Sequence, residues 1–229
     1  MDLSTLESKL NTTFTNKELL EQAFIHRSYL NENRDFHLPH NERLEFLGDA
    51  VLELVVTDHL YQEHSDKTEG ELTAWRAALV NTKMLASIGR ELDFGNYLRL
   101  SHGEAKEEGK GRDYILANTV EAFIGAAYLD QGLKSAEKFI ITYILSKLPQ
   151  VLSEKLFIDA KSRFQEVAQE KVSVTPAYEV LKEWGPDHDK NFKIGVYLGK
   201  ELAGEGQGSS KQEAEQDAAR NALKNKGWE

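Results

Sequence analysis

Glu42, Glu45 and Asp49 stand at i, i+3 and i+7 in a segment whose apolar residues recur with helical period. On an α-helix these positions share one face. Continuing that face reaches Leu52 and Val56, so the carboxylates extend an apolar stripe instead of lying opposite it. A solvated acidic face held by surface ion pairs is the competing reading, but unpaired carboxylates beside a core are costly. Glu121 is the sharper case. From Ala117 to Leu129 nearly every residue is apolar or small, which marks a helix buried all round. Glu121 lies in its middle, and Asn118 lies one turn earlier on the same face. A buried carboxylate must be protonated, paired or bound to metal. The competing reading is an ion pair with Arg43 or Arg76.

Two facing helices that both project carboxylates inward make a metal site. The donors are oxygen only, with no histidine at i+3 or i+4. That disfavours zinc and di-iron and favours Mg²⁺, with Mn²⁺ as a substitute. Mg²⁺ held by carboxylates suits phosphoryl chemistry, because it activates water and neutralises charge on the phosphate and the leaving oxygen. The spacing points to a Mg²⁺-dependent phosphate-cleaving enzyme.

The elements that must hold these groups are mostly helices over residues 1–148. Thr15 to Glu18 has capping-box spacing before Leu19, and Thr68 to Glu71 repeats it before a helix through Leu79. Periodic segments run from Glu42 to Tyr61, Thr82 to Leu92, Asp113 to Asp130 and Lys134 to Leu148. Gly103 to Gly111 reads as a charged, glycine-punctuated, mobile loop, and Pro149 as the close of the domain. Residues 149–156 read as a linker. The text then changes. Ala160 to Lys171 is helical, strand-like text opens at Pro176, and Phe192 to Leu198 alternates with period two. Leu202 to Glu205 reads as a short third strand and Ser210 to Lys226 as an amphipathic helix. The expected fold class is an all-α domain over 1–148 followed by a small α+β domain, α-β-β-β-α, over 157–229.

Composition bounds these readings. The chain has 229 residues, 40% of them apolar, and no cysteine, so disulfides and thiolate metal sites are excluded. Its net charge is −10, which taken alone argues against a nucleic-acid partner. The distribution qualifies this. Residues 1–154 hold 16 Lys/Arg and 25 Asp/Glu, whereas residues 155–229 hold 12 and 13. An acidic part can still meet RNA if its carboxylates hold cations that face the phosphates. The start lacks a signal-peptide pattern, and no apolar run approaches the ~18 residues of a membrane span. No membrane association and a cytoplasmic location are therefore expected.

The segment Asn41-Glu-Arg-Leu-Glu-Phe-Leu-Gly-Asp49 resembles the nine-residue signature of bacterial ribonuclease III. The match extends through Ile25-His26-Arg27-Ser28-Tyr29, Glu69-Gly70 and Leu116 to Gly125, in the family's domain order. The resemblance implies a helical endonuclease that works as a homodimer with two sites across a valley, each cutting one strand of double-stranded RNA. It implies products with 5′-phosphate and 3′-hydroxyl ends and a short 3′ overhang, in ribosomal and messenger RNA processing. By position, Glu45, Asp49, the residue at 118 and Glu121 would bind or organise Mg²⁺, with Asp49 and Glu121 most directly tied to hydrolysis. Glu42 and Glu69 would be auxiliary acids near the RNA. Phe46 would pack across the dimer interface, with ordinary core packing as the alternative. One position departs: the family usually has aspartate where this chain has Asn118. A carboxamide keeps the shape but loses the charge and binds Mg²⁺ more weakly. The alternative function is thus a duplex RNA-binding protein with impaired cleavage. A helical phosphohydrolase acting on small nucleotides is a third reading, and the second domain argues against it.

That domain resembles a double-stranded RNA-binding domain in three pieces. They are Arg163, Gln165 and Glu166 on its first helix, the loop Gly185-Pro186-Asp187-His188, and the start of the last helix at Ser210 and Lys211. Such modules read duplex shape through 2′-hydroxyls in the minor groove and phosphates across the major groove. The family often has two or three lysines where this chain has Lys211 followed by Gln212, so weaker phosphate attraction is expected.

Overall fold

Helical periodicity becomes helix throughout the first part of the chain. The computed structural model describes residues 3–106, 108–157, 159–186 and 190–228. They fall into two units, Met1–Phe157 and Ile158–Glu229. The first contains α1 (Ser4–Leu10), α2 (Lys17–Ala23), α3 (Arg27–Glu32), α4 (Glu42–Glu63), α5 (Glu69–Val80), α6 (Thr82–Glu91), α7 (Lys110–Gln131), α8 (Leu133–Tyr143) and α9 (Leu148–Ser153). Helix α7 is the axis of this unit. It is buried at Ile115, Leu116, Ala117 and through Ala122–Ala127, and α2, α4, α6 and α8 pack around it. Phe123 anchors the aromatic core, with the rings of Phe14, Phe94 and Phe139 at 5.6, 5.5 and 4.7 Å.

The capping box at Thr68–Glu71 forms as read, with Glu71 accepting from the Thr68 N–H at 2.9 Å. The one read at Thr15 does not. Asn16 caps α2 instead, because the N–H groups of Thr15 and Asn16 both donate to the Asp130 carboxylate. The described residues of the segment read as a mobile loop include regular structure. They carry a 3₁₀ turn at Glu104–Lys106, and α7 begins at Lys110. Pro149 does not close the domain. It lies in the first turn of α9, where a missing N–H costs nothing. Val151 is fully buried and α9 packs on α5. Phe157 meets Trp75 edge-on at 6.1 Å. The stretch read as a linker therefore packs with the first unit.

The second unit runs α10 (Ala160–Val172), β1 (Ala177–Trp184), β2 (Asn191–Leu198), β3 (Glu201–Gly208) and α11 (Lys211–Lys226). The sheet is antiparallel in the order β1-β2-β3, and α11 packs against β2, β3 and α10. Strand β3 extends three residues past the expected end at Glu205, to Gly208. A Cβ at Gly204 or Gly206 would run into the α11 backbone at Ala218. The glycines let the Ala214–Ala218–Ala222 face of α11 lie directly on the strand, and they hide its period-two signal.

Candidate active site

Asn41 sets the entry to α4. It is buried; its side-chain amide donates to the Ala23 carbonyl at 3.1 Å and its N–H to the Ile25 carbonyl at 2.9 Å. This fixes the first turn of α4 against the end of α2. The buried face of α4 then runs Leu44, Gly48, Val51, Leu52, Val55, Val56 and Leu60. Glu45 borders that face and is half-buried, while Glu42 and Asp49 are exposed. The carboxylates thus rim the apolar stripe and do not continue it, which softens the sequence expectation.

Two glycines bring α4 against α7. A Cβ on Gly48 would collide with the Glu121 carbonyl and sit 2.8 Å from the Gly125 nitrogen. A Cβ on Gly125 would collide with the Leu44 carbonyl and sit 3.1 Å from the Gly48 nitrogen. The helices therefore cross backbone to backbone, one turn from Glu45 and Glu121. Asn118 and Glu121 are both half-buried. Neither glycine was singled out from sequence. An isolated glycine inside a helical pattern, which has a helix cost to offset, was the available signal.

The electrostatics follow from this crossing. Burial pushes the Glu121 carboxyl up to about 8, reinforced by Asp49 and then by Glu45. Burial also raises Glu45, with Glu42 and Asp49 adding to it, while a hydrogen bond with Asn118 favours the ionised form. Among the described residues no cation offsets Glu121. Arg76, one candidate partner, pairs with Glu53 at 3.0 Å and donates to Thr57. Arg43 is exposed. Carboxylates that raise one another's proton affinity, with no basic side chain between them among the described residues, fit a divalent cation. Yet among the described residues no three carboxylate or imidazole groups converge into a ready cage. The two observations agree for a hard cation that keeps several waters and takes few direct protein ligands, as Mg²⁺ does.

The remaining sequence candidates spread out. Glu69 is the first residue of α5, exposed, and accepts from the Thr73 hydroxyl. No described contact joins it to the α4 and α7 acids. Phe46 is 81% exposed, so the core-packing alternative is wrong. With Leu54 and Tyr61, also exposed, it lies within one arc of α4 facing away from α7. In the second unit Gln165 and Glu166 are exposed on α10 and line a shallow cleft with Ser162 and Gln169. Arg163 lies 3.8 Å from Glu166. Ser210 caps α11 by accepting the Glu213 N–H, and the Lys211 ammonium lies 3.6 Å from Glu183. His188 lies outside the described residues.

Comparison with known proteins then places the chain among its relatives. A family model described as Ribonuclease-III-like matches residues 16–148, and one for the double-stranded RNA binding motif matches residues 160–226. The protein is 47% identical to Ribonuclease 3 of Enterococcus faecalis over 96% of this chain and 95% of that one. It is 45% identical to Ribonuclease 3 of Oceanobacillus iheyensis over 97% of each. The solved nuclease domain of ribonuclease III from Campylobacter jejuni covers 65% of this chain and 99% of its own, at 38% identity and a TM-score of 0.58. That work concerns flexibility in a region involved in dimer formation.

Proposed function

The chain belongs to the ribonuclease III family of double-strand-specific endoribonucleases, and on that premise we propose that it cuts duplex RNA with Mg²⁺ at the α4–α7 crossing. The carrying observation is the place of Glu121: a half-buried carboxyl beside the backbone-to-backbone crossing of α4 and α7, pushed up to about 8 by burial and then by Asp49 and Glu45, with no cationic side chain among the described residues offsetting it. Bound Mg²⁺ would supply an activated water and charge neutralisation at the phosphodiester. The chain's own part is to assemble the donors. Glu45, Asp49 and Glu121 would hold the cation through carboxylate oxygens and Asn118 through one carbonyl oxygen, directly or through the cation's waters, and Glu121 would serve in its ionised form. Glu42 and Glu69 are auxiliary acids. The products are 5′-phosphate and 3′-hydroxyl ends with a short 3′ overhang, from ribosomal and messenger RNA precursors in the cytoplasm.

The working form is a homodimer, built on the exposed Phe46, Leu54 and Tyr61 stripe of α4. Dimer formation by the Campylobacter jejuni nuclease domain supports this. Arg163, Gln165, Glu166, His188, Ser210 and Lys211 grip the duplex. Lys211→Ala is expected to make duplex affinity less salt-dependent, by about 0.9 in the log–log slope for one phosphate contact. An unchanged slope in a titration counts against that contact.

A second reading rests on Asn118: a duplex-binding protein whose cleavage is impaired. Single-turnover reactions on labelled duplex RNA, with and without Mg²⁺, decide between them. Cleavage only with Mg²⁺ supports the first reading, binding without cuts the second, and indifference to duplex overturns both. Asn118→Asp is expected to leave duplex binding intact and to raise cleavage roughly tenfold at limiting Mg²⁺, with less gain at saturation. Equal rates at every Mg²⁺ concentration sink the claim that Asn118 weakens the site.

A further inference from the structure

Beside the first turn of α4, Arg27 and His40, which the carboxylate site does not use, gather on Glu42, an auxiliary acid at the edge of that site. The Arg27 guanidinium stands 3.6 Å from one carboxylate oxygen and the His40 Nδ1 3.7 Å from the other. Both gaps exceed the ~2.7–2.9 Å of a tight charge-assisted hydrogen bond. Side-chain exposure is 71% for Arg27 and 48% for Glu42. Exposed pairs of this kind are held weakly and exchange easily.

The neighbouring imidazoles are held by their own loops. The Ser28 Oγ accepts from the Ser101 N–H at 3.1 Å and lies 2.8 Å from the His26 Nδ1. The Ser28 N–H also donates to that nitrogen. His40 Nδ1 accepts the Glu42 backbone N–H at 3.4 Å. A ring nitrogen that accepts carries no proton, so the neutral His26 ring keeps its proton on Nε2. Burial favours the neutral form of His26, which feels the charges of Glu104, Arg27, Glu42 and His40. One guanidinium and the His40 ring therefore stand 3.6 and 3.7 Å from one displaceable carboxylate, whose charge the His26 ring also feels.

We propose that this cluster is a seat for a phosphodiester of the RNA backbone beside the cleavage position, and that Glu42 fills the seat while no RNA is bound. The proposal rests on the duplex-RNA reading of the active site. A phosphodiester presents two anionic oxygens in a fork like that of a carboxylate, and a guanidinium pairs with either in bidentate fashion. Glu42 precedes Glu45 by three residues, close to one helical turn. A phosphate seated there lies about a turn from the acids that hold the cation. The seat gives a domain with an acidic balance a local cationic foothold for a polyanion. It also makes entry an exchange, in which RNA must displace Glu42.

The test uses the full chain, a long RNA duplex and EDTA to prevent cleavage, with affinity measured between roughly 50 and 200 mM salt. Arg27→Ala is expected to weaken binding and to make the log–log salt slope shallower by about 0.9 per seat. Arg27→Lys restores the slope. Glu42→Gln, which removes the competing anion, tightens binding several-fold at low salt. An arginine that merely braces the start of α4 would leave the slope unchanged, and that result overturns the proposal. Weaker binding by Glu42→Gln overturns it as well. If the parent chain ignores duplex RNA, the functional reading falls and the proposal with it. If the parent binds and only the slope fails to move, the seat alone is lost.

Discussion

Glu121→Gln is expected to reduce Mg²⁺-dependent cleavage of duplex RNA by at least roughly 100-fold and to make the cation-free protein more heat-stable at pH 8. The first effect follows from losing a ligand, since even groups that only support ligands cost about 10–100-fold. The second follows from proton linkage. Burial with Asp49 and Glu45 raises the folded Glu121 carboxyl from 4.5 to about 8. A raised acid contributes stability that is fully present below the unfolded value and is lost as pH rises through the folded one. Without divalent cation, the parent should therefore melt progressively lower between about pH 4.5 and pH 8 because of this group. Glutamine has no proton to lose, so the variant's melting temperature should fall less over that window. Added Mg²⁺ should raise the parent's melting temperature at pH 8 by mass action and barely move the variant's. Thermal unfolding across pH, with and without Mg²⁺, measures both effects. Parent-like cleavage by the variant, or superimposable melting curves, would show that Glu121 is not at the cation site.

Gly125→Ala carries the second large effect. Alanine is the better helix former by about 1 kcal/mol, so a surface position would gain stability. Here the new methyl meets the Leu44 carbonyl and comes within 3.1 Å of the Gly48 nitrogen. These are backbone atoms of a neighbouring helix and cannot swing aside as a flexible side chain would. Overpacking costs about 1–3 kcal/mol and occasionally more, so a net loss of about 2–3 kcal/mol in urea unfolding is expected. Prying α4 from α7 also separates Glu45 and Asp49 from Glu121. A shift of about 1 Å can cost ~100-fold in rate, so cleavage should fall further than the folded fraction does. Gly48→Ala should behave alike. The double variant should lose less than the two single losses combined, because one displacement relieves both clashes. Unchanged stability in Gly125→Ala would mean that the helices do not cross in contact there.

The two predictions differ in how far sequence could have led to them. Glu121 was legible because a lone carboxylate inside an apolar helical run is a local contradiction, visible without any partner. The glycine crossing was not, because Gly48 and Gly125 matter only against each other, across 77 residues of chain. Pro149 misled for a related reason: proline either stops a helix or starts one, and only the buried Val151 behind it says which. Phe46 could be read as core or as interface until its 81% exposure removed the first option.

By itself, the sequence determined the acidic helix of Glu42, Glu45 and Asp49, the buried helix of Glu121, the two-domain order and the oxygen-only donor set. These are statements about residue types at short separations, which helical period and amphipathicity expose directly. The tertiary structure decided which of those acids share a field. It placed the rim of α4 against Glu121 through two glycines, left Glu69 apart, and set Arg27 and His40 on Glu42. Those relations depend on which backbones approach closely, and a one-dimensional pattern does not record that.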